Sequence, residues 1–207
     1  LGGAVLTHAH EDHAGNAAAR AARGVPLAMA DATRAALADS APLALYRRAT
    51  WGTPTPVRPD APAADPAPLV LLPTPGHTAD HHAVWDPERE TLFGGDLFLN
   101  VRVRIAHLDE DLPALARSLR AMAALRPRRL FDAHRGLVPD PAAALAAKAG
   151  WTEDTIAEIG RLLDAGWPER RVRAAVLGGE SATGWLSAGA YSRLNYVRAV
   201  ARARAAA

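Results

Sequence analysis

The opening apolar run, Ala4-Val5-Leu6, is short and gives way at once to polar residues, so residues 1–6 read as a strand and 7–13 as a loop. The Ala-rich run over 14–23 reads as a helix stopped by Gly24-Val25-Pro26, followed by a short strand at Leu27-Ala28-Met29-Ala30. Asp31 is placed to cap a second helix over about 32–48. Between Trp51 and Pro68 six prolines remove periodicity, which predicts a loop or extended surface segment. Leu69-Val70-Leu71-Leu72 has the unbroken apolar pattern of a buried strand and runs into Pro73-Thr74-Pro75-Gly76-His77. Ala83-Val84-Trp85 and Thr91-Leu92-Phe93 predict a hairpin across 86–90. In 109–125 the apolar residues Leu112, Leu115, Leu119 and Met122 share one helical face, which makes Met122 a core residue. Residues 128–133 form the next predicted strand and end at His134. From 141 onward the pattern is helical: 141–149, 152–165, 168–177 and 189–204, divided at Gly150, Gly166 and Gly178-Gly179. Thr152, Thr155 and Ser187 occupy cap positions in that reading. Strands and helices thus alternate up to about 140, an α/β arrangement in which sites form where strands end, and a helical region follows.

Composition narrows the picture. A chain of 207 residues suits one domain of ordinary size with an appended subdomain. The hydrophobic fraction of 49% supports a core, although Ala supplies much of it and aromatics only 5%. No run approaches the roughly 20 apolar residues of a membrane span. The lack of Cys excludes disulfides, thiolate clusters and a Cys nucleophile, and it fits a reducing compartment, so a cytoplasmic location is expected. The net charge of +2 is small, and the pI near 9.5 reflects Arg rather than a large excess of base. Lys148 is the only lysine, which with the Ala abundance reads as codon bias. The chain starts at Leu1, without Met and within a strand-like stretch, so a truncated start is expected.

The chemistry concentrates in Thr7-His8-Ala9-His10-Glu11-Asp12-His13-Ala14-Gly15-Asn16, which sets three imidazoles and two carboxylates within six residues of a strand end. His8 and His10 are two apart, so in an extended segment they project to one side and can grip one ion. Asp12 and His13 fall where the chain turns into a helix, point elsewhere and can serve a second ion.

This segment resembles the signature of the metallo-β-lactamase fold hydrolases. In that family the later ligands, a His, an Asp and a His, come from later strand ends. Pro75-Gly76-His77-Thr78, Phe93-Gly94-Gly95-Asp96 and Phe131-Asp132-Ala133-His134 supply them here in order. The resemblance covers residues 1–140 and implies an αββα sandwich lacking its N-terminal strands, with 141–207 as a helical C-terminal region of winged-helix-like type. It also implies that His8, His10 and His77 hold one ion and Asp12, His13 and His134 the other, with Asp96 bridging.

Zinc accepts such a donor set, and two zinc ions per chain are expected; iron and manganese also fit N and O ligands. The first functional reading is a hydrolase that uses hydroxide held between the metals to cleave a small ester, thioester, lactone or amide, with Asp12 also orienting the nucleophile and moving a proton. The alternatives are a metal-dependent endoribonuclease, an iron-dependent sulfur dioxygenase and a non-catalytic metal-binding or regulatory protein. The nuclease reading draws on four arginines in 181–207, with Arg193, Arg198 and Arg202 on one face, and on Trp151, Trp167, Trp185 and Tyr191 as stacking groups. Against it, 151–207 carries eight Arg and six acids, which suits an ordinary solvated face, so a small-molecule substrate is favoured over nucleic acid and no membrane partner is expected. Smaller roles fall to His81, for a structural hydrogen bond or a contact near the metals, and to His107 and Arg135 as surface groups within reach of substrate.

Overall fold

The structure, a computed structural model, describes residues 2–39, 43–58 and 60–205. Strand β1 (Ala4–Val5) runs into the histidine loop, and α1 (Glu11–Ala14) and α2 (Ala17–Ala21) replace the single predicted helix. Parallel to β1 lies β2 (Leu27–Ala28), followed by α3 (Asp31–Ala38) and α4 (Leu45–Trp51). The helix predicted over 32–48 is therefore two, and 40–42 lie outside the described residues. Asp31 is the first residue of α3 rather than its cap; Ala30 holds that position with no side-chain bond. The proline-rich loop lies along β2, where the Leu27 N–H donates to the Pro62 carbonyl and Ala64 N–H to that of Leu27. Leu6, Ala14, Ala17, Leu27, Leu37 and Val57 make a small core beneath it.

Among the described residues the larger sheet contains β3 (Val70–Pro73), β4 (His82–Asp86) and β5 (Thr91–Phe93), joined later by two further strands. After β5 come the short β6 (Ala106–His107) and helix α5 (Leu112–Ala124), then β7 (Arg129–Asp132) and β8 (Gly136–Val138). The order is β3-β4-β5-β7-β8, with β5 and β7 parallel and the other neighbours antiparallel. So β3, β5 and β7 all run the same way and deliver the segments that follow them to one edge. The predicted hairpin is present, with Val84 opposite Phe93. The strand at 70–73 departs from its buried reading: it is the sheet's edge, and Val70 is 43% exposed. β8 escaped the pattern because two of its three residues face solvent.

The four apolar residues of α5 are all buried, Met122 included, and Asp111 caps the helix by accepting the Ala114 N–H. Helix α6 (Pro141–Asp164) runs unbroken through Gly150, contrary to the two segments expected. A helical Gly costs about 1 kcal/mol relative to Ala, and burial of Leu145, Ala149, Ile159 and Leu162 on either side outweighs it. Thr152 and Thr155 are not caps. Both are buried mid-helix, and their hydroxyls donate to the Lys148 and Trp151 carbonyls one turn back.

Then follow α7 (Glu169–Val176), α8 (Ala182–Leu186), β9 (Tyr191–Ser192) and α9 (Arg193–Ala205). Ser181 caps α8, while Ser187 ends it. Gly189, expected to begin the last helix, has φ +86° and precedes β9. β9 pairs antiparallel with β6 and brings the C-terminal region to the edge where β3, β5 and β7 end. One continuous core links Leu92 and Leu130 of the sheet to Leu119, Ile159, Val172 and Val197 of the helices. No helix among the described residues is long and apolar enough to cross a membrane.

Candidate metal centre

Short bonds between neighbouring strand ends bring the predicted ligand segments together. The His82 N–H donates to the Thr7 carbonyl, which fastens the histidine loop to the start of β4. Asp80 adds a second tie, its Oδ2 accepting the Ala9 N–H at 2.9 Å. His77 follows Gly76 at φ +140°, where a Cβ would lie 2.4 Å from the Leu115 backbone; only glycine lets this loop press onto α5. Gly95, at φ +53°, does the same before Asp96, since a Cβ there would fall 2.7 Å from His81 Nε2.

Two groups of donor atoms result, each with its atoms within 4.8 Å of one another: His8, His10, His77 and Asp96, and Asp12, His13 and His134. Asp96 stands between them. Its Oδ2 is 3.3 Å from His77 Nε2, and its Oδ1 is 3.1 Å from His13 Nε2 and 3.0 Å from His134 Nε2. Asp12 Oδ2 lies 3.5 Å from His13 Nε2 and 3.6 Å from His134 Nε2, on the more open side.

The electrostatics fit cations rather than a network complete in itself. His8 is fully buried, with its ring 4.3 Å from that of His13 and 4.6 Å from that of His10, measured between centroids. Burial, reinforced by the neighbouring imidazoles, pushes its pKa far below the usual value, and burial with His77 and Arg47 pushes His10 down to about 2. Both imidazoles are therefore held neutral, the form that binds a cation; His8 Nε2 is without a partner among the described residues, while His10 Nδ1 lies 3.0 Å from His77 Nε2. Burial acts to raise the Asp96 pKa, but the surrounding histidines override it and keep the group ionised. Burial likewise acts to lower that of His13, and Asp96 overrides it in the opposite direction. His8 Nε2, His13 Nε2 and Asp96 Oδ1 are buried with no aligned hydrogen-bond partner among the described residues. Such orphaned atoms around a common point are costly unless something satisfies them, and a divalent cation does so.

Several positioning residues complete the site. His81 is fully buried; its Nε2 accepts the Asp96 N–H at 3.1 Å, and its Nδ1 lies 2.8 Å from Thr74 Oγ1. The first bond fixes the proton on Nδ1, so the sequence expectation resolves to a structural hydrogen bond next to the centre. His82, half-buried, bonds the Asp80 carbonyl through Nδ1 at 2.7 Å. Asp132 holds the last ligand loop by accepting the His134 and Arg135 N–H groups. Glu110, which no motif singles out, sits 3.3 Å from His77 Nδ1. Lys148 is more than compositional bias: it is buried and donates to the Leu97 and Phe98 carbonyls at 2.8 and 2.7 Å, directly after Asp96. The place of Asp80, three residues after His77, is a signal that sequence reasoning can use; nothing local marks Glu110.

Above the centre lies a cleft of about 230 Å³, lined by Arg47, Trp51 and Tyr191 together with the aliphatic Leu99, Val103 and Ile105. His107 stands at its edge, 4.9 Å from the Tyr191 ring between centroids, whereas Arg135 engages through its backbone N–H only. The C-terminal arginines are occupied within the fold. Arg193 donates to the Gly179 carbonyl, Arg202 to that of Leu108, and Arg198 and Arg204 pair with Glu169 and Asp164. Trp167 is covered by Arg171 at 3.9 Å and Trp151 packs on Tyr196, while Trp185 is 77% exposed.

The metallo-beta-lactamase superfamily model matches residues 2–134. Beta-lactamase-like protein 2 homolog of Caenorhabditis elegans is 39% identical over 72 residues, 35% of this chain and 23% of that protein, so the chain matches about a quarter of that relative's length. Among solved structures, a metallo-beta-lactamase family protein from Thermus thermophilus superposes with a TM-score of 0.65 at 20% identity, over 96% of this chain and 72% of that one. A metallo-beta-lactamase from Erythrobacter litoralis gives 0.52 at 24% identity, over 73% of this chain and 68% of that one. An archaeal superfamily protein from Sulfolobus tokodaii gives 0.53 at 18%, over 74% and 68%. At these identities the structural likeness is one of fold.

Proposed function

The chain belongs to the metallo-β-lactamase superfamily, and on that premise we propose that it is a dinuclear zinc hydrolase acting on a small ester, thioester, lactone or amide. The observation that carries the reading is Asp96, whose two oxygens face two separate histidine sets. His8, His10 and His77 would hold one ion and Asp12, His13 and His134 the other, with Asp96 shared. Residues 1–140 form the metal-binding domain in this reading, and 141–207 the helical region that supports it.

Ions bound there would polarise a carbonyl and lower the pKa of water toward ~7. The chain's own groups do the rest. Asp12, on the open side, orients the attacking water and takes its proton on Oδ2. The neutral imidazoles donate lone pairs, and the ionised Asp96 offsets positive charge between the sites. Leu99, Val103 and Ile105 limit the access of bulk water and so strengthen each electrostatic contact. Against the nuclease alternative, the arginines that suggested it pair at the surface with carbonyls and carboxylates of the same chain.

The test is hydrolysis of ester, thioester and lactone panels by metal-loaded protein, alongside Asp12→Asn. The reading expects turnover that falls at least about a hundredfold in the variant even when metal is added to saturation, since Asp12 is both a ligand and the proton acceptor. Absence of turnover on every panel, or an unaffected variant, would refute it.

A further inference from the structure

The walls of the cleft say more about the substrate than the metal ligands do. Residues 101–105 alternate half-buried and exposed: Val101, Val103 and Ile105 turn inward, and Arg102 and Arg104 turn out to solvent. Val103 and Ile105 line the cleft, Val101 packs on the main core, and the charges of this loop stay outside. Trp51, 51% exposed, lines the same cleft and offers it apolar surface. Of the basic side chains beside the cleft, Arg47 is already paired with Glu11 through Nε at 3.0 Å and through the second guanidinium nitrogen, and Lys148, in the adjoining hollow, donates to the Leu97 and Phe98 carbonyls. The carboxylates lining the cleft are Glu11, Asp12, Asp96 and Glu110, the last of which faces His77. A substrate carrying negative charge away from its scissile bond would meet carboxylates and a neutralised arginine.

From this we infer that the site takes an acyl compound whose acyl portion is a short, neutral, unbranched aliphatic chain, lying between Trp51 and the Val103–Ile105 wall. The inference rests on the hydrolytic reading of the same site. The modest volume, about 230 Å³ against the ~300–1,000 Å³ of sites that engulf drug-sized ligands, suits a chain better than a bulky ring system.

The test measures binding separately from turnover. Straight-chain carboxylates from acetate to octanoate, which are product mimics and are not hydrolysed, are titrated calorimetrically into metal-loaded protein. Affinity should rise roughly fourfold per methylene until the cleft is filled, the factor that ~0.8 kcal/mol per buried CH₂ gives. Trp51→Ala and Ile105→Thr should each flatten that rise, and Arg104→Ala should leave it intact. Trp51 is half exposed, so its removal tests the wall without threatening the core. A rise with chain length and no turnover of any ester, thioester, lactone or amide would support this inference while defeating the hydrolase reading. Affinity independent of chain length, a rise unaltered in both wall variants, or displacement of octanoate by an oligoribonucleotide would overturn the inference.

Discussion

Glu110 places Oε1 3.3 Å from Nδ1 of His77 and also accepts the His107 N–H, so one carboxylate holds both a candidate ligand ring and the end of β6 beside it. A carboxylate behind a ligating imidazole fixes its tautomer and raises its basicity. Glu110→Gln is therefore expected to weaken metal affinity about ten- to a hundredfold, measured by competition with a chelator. Unchanged affinity would mean that the contact does not tune the site.

His81 bridges Thr74 and the Asp96 backbone in a fully buried position. His81→Leu fills similar space but leaves the Asp96 N–H and the Thr74 hydroxyl without that partner. The expected loss of stability is about 3 kcal/mol by urea unfolding, with metal bound less tightly as Asp96 loosens. A variant as stable as the parent would deny His81 its positioning role.

Lys148 offers a pH test. Burial lowers its pKa to about 8, although Glu110, Asp132 and Asp96 act to raise it. The unfolded chain keeps the proton up to its ordinary pKa near ~10.4. Between those values the unfolded state binds more protons, so the stability of the parent should climb with pH, by something on the order of 3 kcal/mol. Lys148→Met, less stable at pH 7 because the Leu97 and Phe98 carbonyls lose their donor, should show no such climb. Parallel pH profiles for the two proteins would contradict this.

Chelation should destabilise the folded state, since ions bind the assembled donors and not the unfolded chain. Saturation roughly a thousandfold above Kd corresponds to about 4 kcal/mol. For a chain of this size that is a fall in Tm of roughly 10 °C, and Asp96→Ala should show little further fall on chelation. Equal melting of the loaded and chelated parent would sink the expectation.

The segments that converge on the candidate centre are legible in the sequence because each is local: a strand end followed within a few residues by potential donors, as at His8 and His10, His77, Asp96 and His134. The helix face of Leu112, Leu115, Leu119 and Met122 is legible for the same reason. What escapes depends on contacts made across the fold. β6 and β9 are two residues each, too short for any period, and form because the C-terminal region folds back to pair with 106–107 in a separate two-stranded sheet. Gly150 looks like a boundary, but packing on both sides of it carries α6 through. Glu110 and Lys148 gain their roles from neighbours far away in sequence, His77 for the first and Leu97 and Phe98 for the second.

The most direct measurement is the identity and number of metal ions per chain, by elemental analysis of the purified protein. Two zinc ions per chain, with Asp96→Ala retaining fewer, is the expected result. A single iron, or no bound metal, would contradict the dinuclear hydrolase.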